Sequence, residues 1–368
     1  MKPTSILGKY LIKQILLNFL AVLLMVLSVI LLFEIVEILR RTSDRQDADI
    51  WFVLQMAITK MPKTIEMVFP FVMMIAAMAT FWKVSKTNEF VIMRAAGVSI
   101  WEFLTPVLAA TFVIGMINVT LVNPVAADLY DLYETLEYRF KTKNPKAVLF
   151  SDQGLWIREA IDENNIMVLQ AKSLRQEKDG LLMRNVTILE MDRKSQPSRR
   201  LEAFVATLQD GYFKLKDVRI YRSGMQTEVK NSVDYKTTLD AERIKENFVA
   251  PESISFWDLP DTIRFYEMSG FSAVRHNLRY MSLLVSPFLL CAMVLVAAVF
   301  ALRPNSRRGG VMFLIVGGIT TGFVVYFLSQ LVYAFGINGD IPVFMAVVTP
   351  TLVIGLIAVS ALLHLEDG

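Results

Sequence analysis

Apolar residues in this chain gather into long runs, broken by short polar islands and by one long mixed stretch. Six runs approach the roughly 20 residues that a helix needs to cross a bilayer. They fall at about 10–36, 52–82, 101–122, 278–302, 311–333 and 341–363. The first continues well past signal-peptide length and has no small-residue cleavage pattern, so it reads as a retained membrane helix. The second is long. Lys60, Lys63 and Glu66 lie in its first half, Pro62 and Pro70 lie within it, and its wholly apolar part, 67–81, is short. That pattern predicts a separate, kinked or interfacial helix leading into the span. Asn123-Pro124 predicts the end of the third run, with a further helix over 128–140 carrying the chain out of the membrane.

Between 125 and 277 the pattern changes. Apolar runs shorten, charges become frequent, and many segments alternate apolar with polar residues. Strands are predicted at 147–150, 155–157, 166–171, 182–191, 201–208, 212–221 and 233–238. Turn formers such as Asp152-Gln153-Gly154, Glu163-Asn164-Asn165, Asp179-Gly180 and Asp210-Gly211 separate them. This spacing implies a single all-β sandwich, jelly roll or open barrel. A connector follows over 251–271, with a helix at 259–268. The fold class is therefore an α-helical integral membrane protein with six transmembrane helices, three on each side of an inserted all-β domain. The domains divide as 1–124, 125–275 and 276–368.

One polar island stands out. Residues 83–100 are bracketed by Trp82 and Trp101, and tryptophan favours the membrane–water boundary. Thr87 or Asn88 can cap a short helix there, Glu89 suits its positive end, and Gly97 offers a stop. Phe90 and Met93 share one face at helical spacing. Two readings stand: a solvated loop between helices, or a knob offered to a soluble partner.

Charge sets the orientation. Lys2, Lys9 and Lys13, then Lys83, Lys86 and Arg94, then Arg303, Arg307 and Arg308 fall on one side of a six-span arrangement, which makes that side the cytoplasm. Arg40, Arg41 and Arg45 on the other side weaken this bias without reversing it. The β domain then lies outside the cytoplasm and the island inside it. The net charge of +3 is small and mixed, which gives no sign of nucleic-acid binding. Cys291 is the single cysteine, so no intramolecular disulfide can form.

Catalytic signals are sparse. His276 and His364 are the only histidines, and they lie far apart in the six-span arrangement. There is no HExxH, GxSxG or paired-cysteine pattern, and no GxxxxGK[ST] phosphate loop, so the chain should not hydrolyse nucleotides by itself. No cofactor or metal is expected in it. More telling are charges at the outer boundary. Glu34 lies inside the first run, where an ionisable residue normally faces protein or a wet cavity. Glu34, Glu37 and Arg41 share a face, Arg40 adjoins them, and Asp131 and Glu134 stand about two turns beyond Pro124. Together they read either as a polar vestibule for a charged amphiphile headgroup or as interfacial snorkelling with internal ion pairs. In the fifth run Gly317, Gly318, Thr321 and Gly322 contain a GxxxG spacing that lets helix backbones approach closely. The same surface could form a parting seam. The readings left are a transport permease with no enzymatic activity of its own, a scaffold relaying motion to a partner outside the cytoplasm, or a membrane enzyme using paired carboxylates.

The chain resembles the LptF/LptG permeases of the lipopolysaccharide-export ABC transporter over essentially its whole length. The residues that carry this are 88–98, Asn-Glu-Phe-Val-Ile-Met-Arg-Ala-Ala-Gly-Val, which look like the family's coupling segment, and Pro62 with Phe69-Pro70 before it. Ser151–Trp156 and Ser255–Pro260 look more like the LptG branch. The resemblance implies a periplasmic β-jellyroll, a sister permease LptF, two copies of the ATPase LptB, an added LptC, and delivery to periplasmic LptA. ATP and magnesium would sit on the ATPase. Asn88, Glu89, Phe90, Met93, Arg94 and Gly97 would form the coupling helix, with Glu89, Phe90 and Arg94 the candidates to carry force. Spans one and five would form lateral gates, and ATP-driven closure would push the lipid into the jellyrolls. One departure stands out. Glu34, Asp131 and Glu134 occupy positions that are often basic in the family, and an acidic ring would repel a phosphorylated lipid.

Overall fold

A computed structural model describes residues 6–42, 49–141, 147–151, 154–160, 165–177, 180–192, 197–209, 211–222, 226–237, 250–268, 272–302 and 310–367. Lys2, Arg45, Arg303, Arg307 and Arg308 lie outside these. So do the turn residues Asp152, Gln153, Glu163, Asn164, Asp179 and Asp210. The chain forms two compact units. One comprises residues 1–133, 255–259 and 274–368, the other 134–254 and 260–273.

The helical unit holds α1 (Ile6–Thr42), α2 (Ile50–Lys86), the short α3 (Glu89–Ala95) and α4 (Ile100–Ile117). It continues through the first part of α5 (Asn123–Lys141), then α7 (Val274–Ala301), α8 (Gly310–Asn338) and α9 (Val343–Asp367). Among the described residues six helical stretches are long and apolar enough to cross a membrane. Two expectations are corrected. α2 is one helix of 37 residues with both Pro62 and Pro70 inside it, not a span preceded by a separate helix. Asn123-Pro124 does not break the third helix either. α4 passes through a π turn at Asn118–Val122 directly into α5. A proline costs a helix one hydrogen bond and a steric clash, and a wider turn just before it absorbs both.

The unit's core runs along α2 and α7. Met73, Phe81, Phe103, Leu104, Val294 and Ala297 are buried within one cluster. α4 and α7 touch at their backbones: a Cβ added to Gly115 would lie 2.7 Å from Pro287 Cα.

Among the described residues the second unit contains α6 (Leu259–Met268) and seven strands: β1 (Ala147–Ser151), β2 (Gly154–Ala160), β3 (Asn165–Glu177), β4 (Gly180–Asp192), β5 (Pro197–Gln209), β6 (Tyr212–Arg222) and β7 (Glu228–Lys236). They pair antiparallel in chain order. Alternate residues face inward. Leu155 and Ile157, Met167 and Leu169, Met183 and Ile188, and Phe213 and Leu215 are all inaccessible. The sheet curves back on itself. Thr237, just past β7, donates from Oγ1 to Glu159 Oε2 on β2 at 2.5 Å, across five steps of the ladder. Burial, then the nearby Glu190 carboxylate, pushes the Tyr235 phenol on β7 well above its ordinary range.

One row of this sheet breaks the alternation. The rungs Lys172–Asn185, Asn185–Phe204, Phe204–Asp217 and Asp217–Asn231 are missing from four adjacent ladders whose register otherwise continues. Inward residues there are three apart, as in Met183 and Val186 or Leu215 and Val218. Asn185 and Asp217 take left-handed backbone at φ 51° and 55°. A slip of one residue would turn every later side chain outward. Because the strands kink together, the apolar face stays inside on both sides of the crease.

Candidate functional site: two polar ends of the helical unit

The first site is α3. Asn88 reverses the chain in left-handed backbone at φ 56°, without a side-chain cap, which corrects the capping expected from the sequence. The Thr87 hydroxyl instead sits between the Lys83 carbonyl at 3.0 Å and Glu89 Oε1 at 2.8 Å. Glu89 also accepts from the Tyr10 hydroxyl of α1 at 3.5 Å. At the far end Gly97 has φ 84°. The Val98 N–H returns to the Met93 carbonyl and the Gly97 N–H to the Arg94 carbonyl, the double closure of a Schellman motif. Ser99 then caps α4 through the Glu102 N–H at 3.1 Å.

The two faces of α3 differ. Phe90 is buried, edge-on to Phe103 at 5.4 Å, and Met93 packs on the same cluster. Val91 and Ile92 are 58% and 66% exposed. Arg94 reaches the Glu366 carbonyl near the end of α9 at 3.3 Å. α3 is thus a short rigid hook, held by Phe90 and showing two aliphatic side chains. Sequence reasoning missed Val91 and Ile92. Their signal was present, since placing Phe90 and Met93 on the anchored face turns the residues between them outward.

The second site lies near the other end of α1. From Tyr10 to Glu34 is about 36 Å at 1.5 Å per helical residue, on the order of a bilayer core. Glu34 is 7% exposed. It accepts from Lys60 Nζ at 2.6 Å and from Thr64 Oγ1 at 3.1 Å, both on α2. Lys60 also stands 3.9 Å from Glu37, which pairs with Arg41. Lys63 lies over the Tyr130 ring at 4.0 Å, and Tyr130 stacks on Tyr133. The negative charge of Glu34 is therefore matched within the chain. Glu34, Glu37 and Arg41 come together. Arg40 and Asp131 are exposed, while Glu134 belongs to the other unit and accepts from the Ser253 hydroxyl at 3.5 Å. Lys60, Thr64, Lys63 and Tyr130 were not singled out as site residues from the sequence. Pairing across 26 positions leaves no local pattern to read.

A third polar group sits deeper. Glu66 on α2 pairs with Arg279 on α7 and accepts from Asn123 Nδ2 at 2.8 Å. A cavity of about 230 Å³ adjoins it, lined by Glu66, Arg279, Ser286, Tyr326, Ser329 and Gln330. Farther along α8, the glycines of the fifth span are covered from within the chain. Gly318 meets the end of Met78, Gly322 meets Met74 and Phe71, and Gly317 meets Phe300, with Thr321 half-buried between them. The opposite side of α8 exposes Ile319, Phe323 and Phe327. Among the described residues no group of three or more His, Cys, Asp or Glu is placed to hold a metal ion.

The family model of the lipopolysaccharide export system permeases LptF/LptG matches residues 9–364. The chain belongs to the LptF/LptG family. It is 22% identical to the lipopolysaccharide export system permease protein LptG of Escherichia coli strain K12, over 99% of each chain. It is also 22% identical to LptG of Haemophilus influenzae, over 94% of this chain and 95% of the relative. An LptF/LptG permease is a multi-pass protein of the inner membrane, and the six apolar helices with their β insert agree with that. Membership also gives the hook at Glu89–Ala95 and the ion pairs at Glu34 a common setting. Both belong to a permease subunit rather than an enzyme.

Proposed function

We propose that this lipopolysaccharide export permease acts as the LptG-type half of a two-permease channel. In this reading LptF is its sister, two LptB subunits hydrolyse ATP, and LptC and LptA take the lipid onward. The observation that carries the reading is α3. It is anchored through Phe90, closed at Gly97, and presents Val91 and Ile92 beside Arg94. A hook of this kind transmits force only if a partner grips it. Its end of the unit carries Lys9, Lys13, Lys83 and Lys86, which supports a cytoplasmic position, where an ATPase would be. The β unit then lies in the periplasm, and its sealed apolar interior suits acyl chains.

The apolar outer faces of α1 and α8 would form the lateral gates. Lipopolysaccharide would enter there from the outer leaflet, with Arg40, Arg41, Lys60 and Lys63 the cations nearest its phosphates. The test is reconstitution. The chain, co-expressed with its sister and the ATPase, should co-purify with both and deliver lipopolysaccharide to a periplasmic acceptor only with ATP. An assembled complex that hydrolyses ATP without delivery would leave a scaffold instead.

A further inference from the structure

Pro124 lies inside an unbroken helix. It has no N–H, so the Thr120 carbonyl one turn earlier lacks its ordinary helical donor. The helix widens over Asn118–Val122, and the Asn123 N–H closes on the Asn118 carbonyl. Such turns occur frequently at functional positions. A single short segment, 255–259, engages this widened turn twice. Trp257 Nε1 donates to the Thr120 carbonyl at 3.2 Å. The Phe256 N–H donates to Asn123 Oδ1 at 2.9 Å.

Asn123 is fully buried, and both ends of its amide are used. Oδ1 takes the Phe256 N–H and Nδ2 gives to Glu66, which is itself ion-paired with Arg279. Phe256 stacks on Tyr280 of α7, ring centroids 5.4 Å apart and nearly parallel. The segment is folded internally by the Ser255 hydroxyl on Asp258. It clusters with the helices, although residues 134–254 and 260–273 on either side of it cluster with the sheet. A connector that merely joins two elements can satisfy its polar groups with water. Here two of them are matched to specific groups on the bulged third span, the Thr120 carbonyl and the fully buried Asn123 amide, and leaving the Asn123 acceptor unmatched is costly.

We propose that the Asn123-Pro124 bulge and the Ser-Phe-Trp-Asp segment form a tether. It registers the chain's path out of the β unit to the third membrane helix, so that movement of that helix is handed to the segment and not lost in slack. Asn123 and Trp257 are positioning residues. They touch backbone groups and one carboxylate of the chain itself. The consequence for transport rests on the permease reading above; the tether itself does not.

The experiment uses the assembled complex with sister permease and ATPase. Asn123→Ala should speed amide exchange at Phe256 by about tenfold, since a buried N–H loses its acceptor. Trp257→Phe keeps an aromatic ring, smaller than the indole, and removes the donor. It should lower lipopolysaccharide delivered per ATP about twofold, the factor for one solvent-exposed hydrogen bond, with ATP turnover and complex yield unchanged. The double variant Trp257→Phe with Pro124→Ala separates tether from stability. It returns an N–H to the turn, so thermal stability should recover while delivery per ATP stays low. Recovery of delivery along with stability would overturn the proposal, as would unchanged exchange at Phe256 or unchanged delivery in Trp257→Phe. A wild-type complex that consumes ATP and delivers nothing overturns the transport reading instead, and exchange at Phe256 still decides the tether.

Discussion

Helices α1 and α7 are both long and strongly apolar, yet 56% of the most apolar stretch of α7 is buried inside the chain against 6% of that of α1. Hydropathy reports that a helix avoids water. It does not report what covers it, because lipid and protein are equally apolar neighbours. The residue types do carry that information. The buried stretch of α7 reads Ala292-Met293-Val294-Leu295-Val296-Ala297-Ala298-Val299, with small side chains that let neighbouring helices approach. α1 is built on leucine, and Leu16, Leu17, Leu20, Leu24 and Leu32 all point out of the unit. It holds on through a narrow seam that includes Leu11, Ile15, Asn18 against Thr80 at 2.8 Å, and Glu34. The inner helix is the frame of the helical unit, and the outer one keeps most of its apolar face uncovered within the chain.

The sharpest way to break this contrast is to unbalance a part-buried pair on the frame. Arg279→Met leaves Glu66 with only the Asn123 amide among packed helices and should cost about 2–3 kcal/mol, read as a drop in the melting temperature of the detergent-solubilised chain. Arg41→Met at the exposed rim of α1 should cost under about 1 kcal/mol. Equal losses would mean that burial does not separate the two helices. Next in size is Gly115→Ala. The new methyl meets Pro287 backbone, which cannot yield, so about 1–3 kcal/mol is expected. Gly318→Ala meets only the flexible end of Met78 and should cost less in the same melt.

These variants also mark where the sequence was legible. Six spans and seven strands followed from run length and alternation, because each is a local pattern. The continuity of α2 did not, since Pro62 and Pro70 break a helix in isolation and only packing against α1 and α7 holds it together. The bulge before Pro124 was read as an end for the same reason: the Trp257 donor that meets Thr120 lies more than a hundred residues away. The crease in the sheet left a trace, the three-residue step between Met183 and Val186 repeated on neighbouring strands, but its meaning needs the strand register. At the candidate sites, Glu89 and Glu34 could be picked out as charges in unusual places. Their partners Tyr10 and Lys60 could not, because pairing is decided by tertiary structure.

Within α3 the same contrast between frame and open face recurs over seven residues. Phe90→Ala removes the buried anchor and should unseat the hook, lowering both the melting temperature and ATPase association. Ile92→Asp leaves the anchor in place. It should leave the melt within about 0.5 kcal/mol of wild type, while co-purification with the ATPase falls at least severalfold. If Ile92→Asp retains full association, the exposed aliphatic pair is not the gripped face, and Glu89 with Arg94 become the residues to test.

The smallest expected effect probes α1 directly. Leu24 lies mid-span and is 55% exposed in the isolated chain. Its side chain touches either lipid or another protein, and Leu24→Ala distinguishes them. Against lipid, the shorter side chain is replaced by acyl chains at almost no cost. Against a packed partner helix, the lost dispersion contacts weaken association by about 0.5–1 kcal/mol, a few-fold in the dissociation constant. The melt of the isolated chain should therefore be unchanged, and dissociation of the sister permease, followed by dilution in detergent, should become a few-fold easier. A loss of chain stability comparable to that of Gly115→Ala would show that the outer face of α1 supports this chain's own fold. Unchanged association would assign that face to lipid, and the pairing surface would then be sought on α8, where Phe323 and Phe327 stack side by side with their rings open.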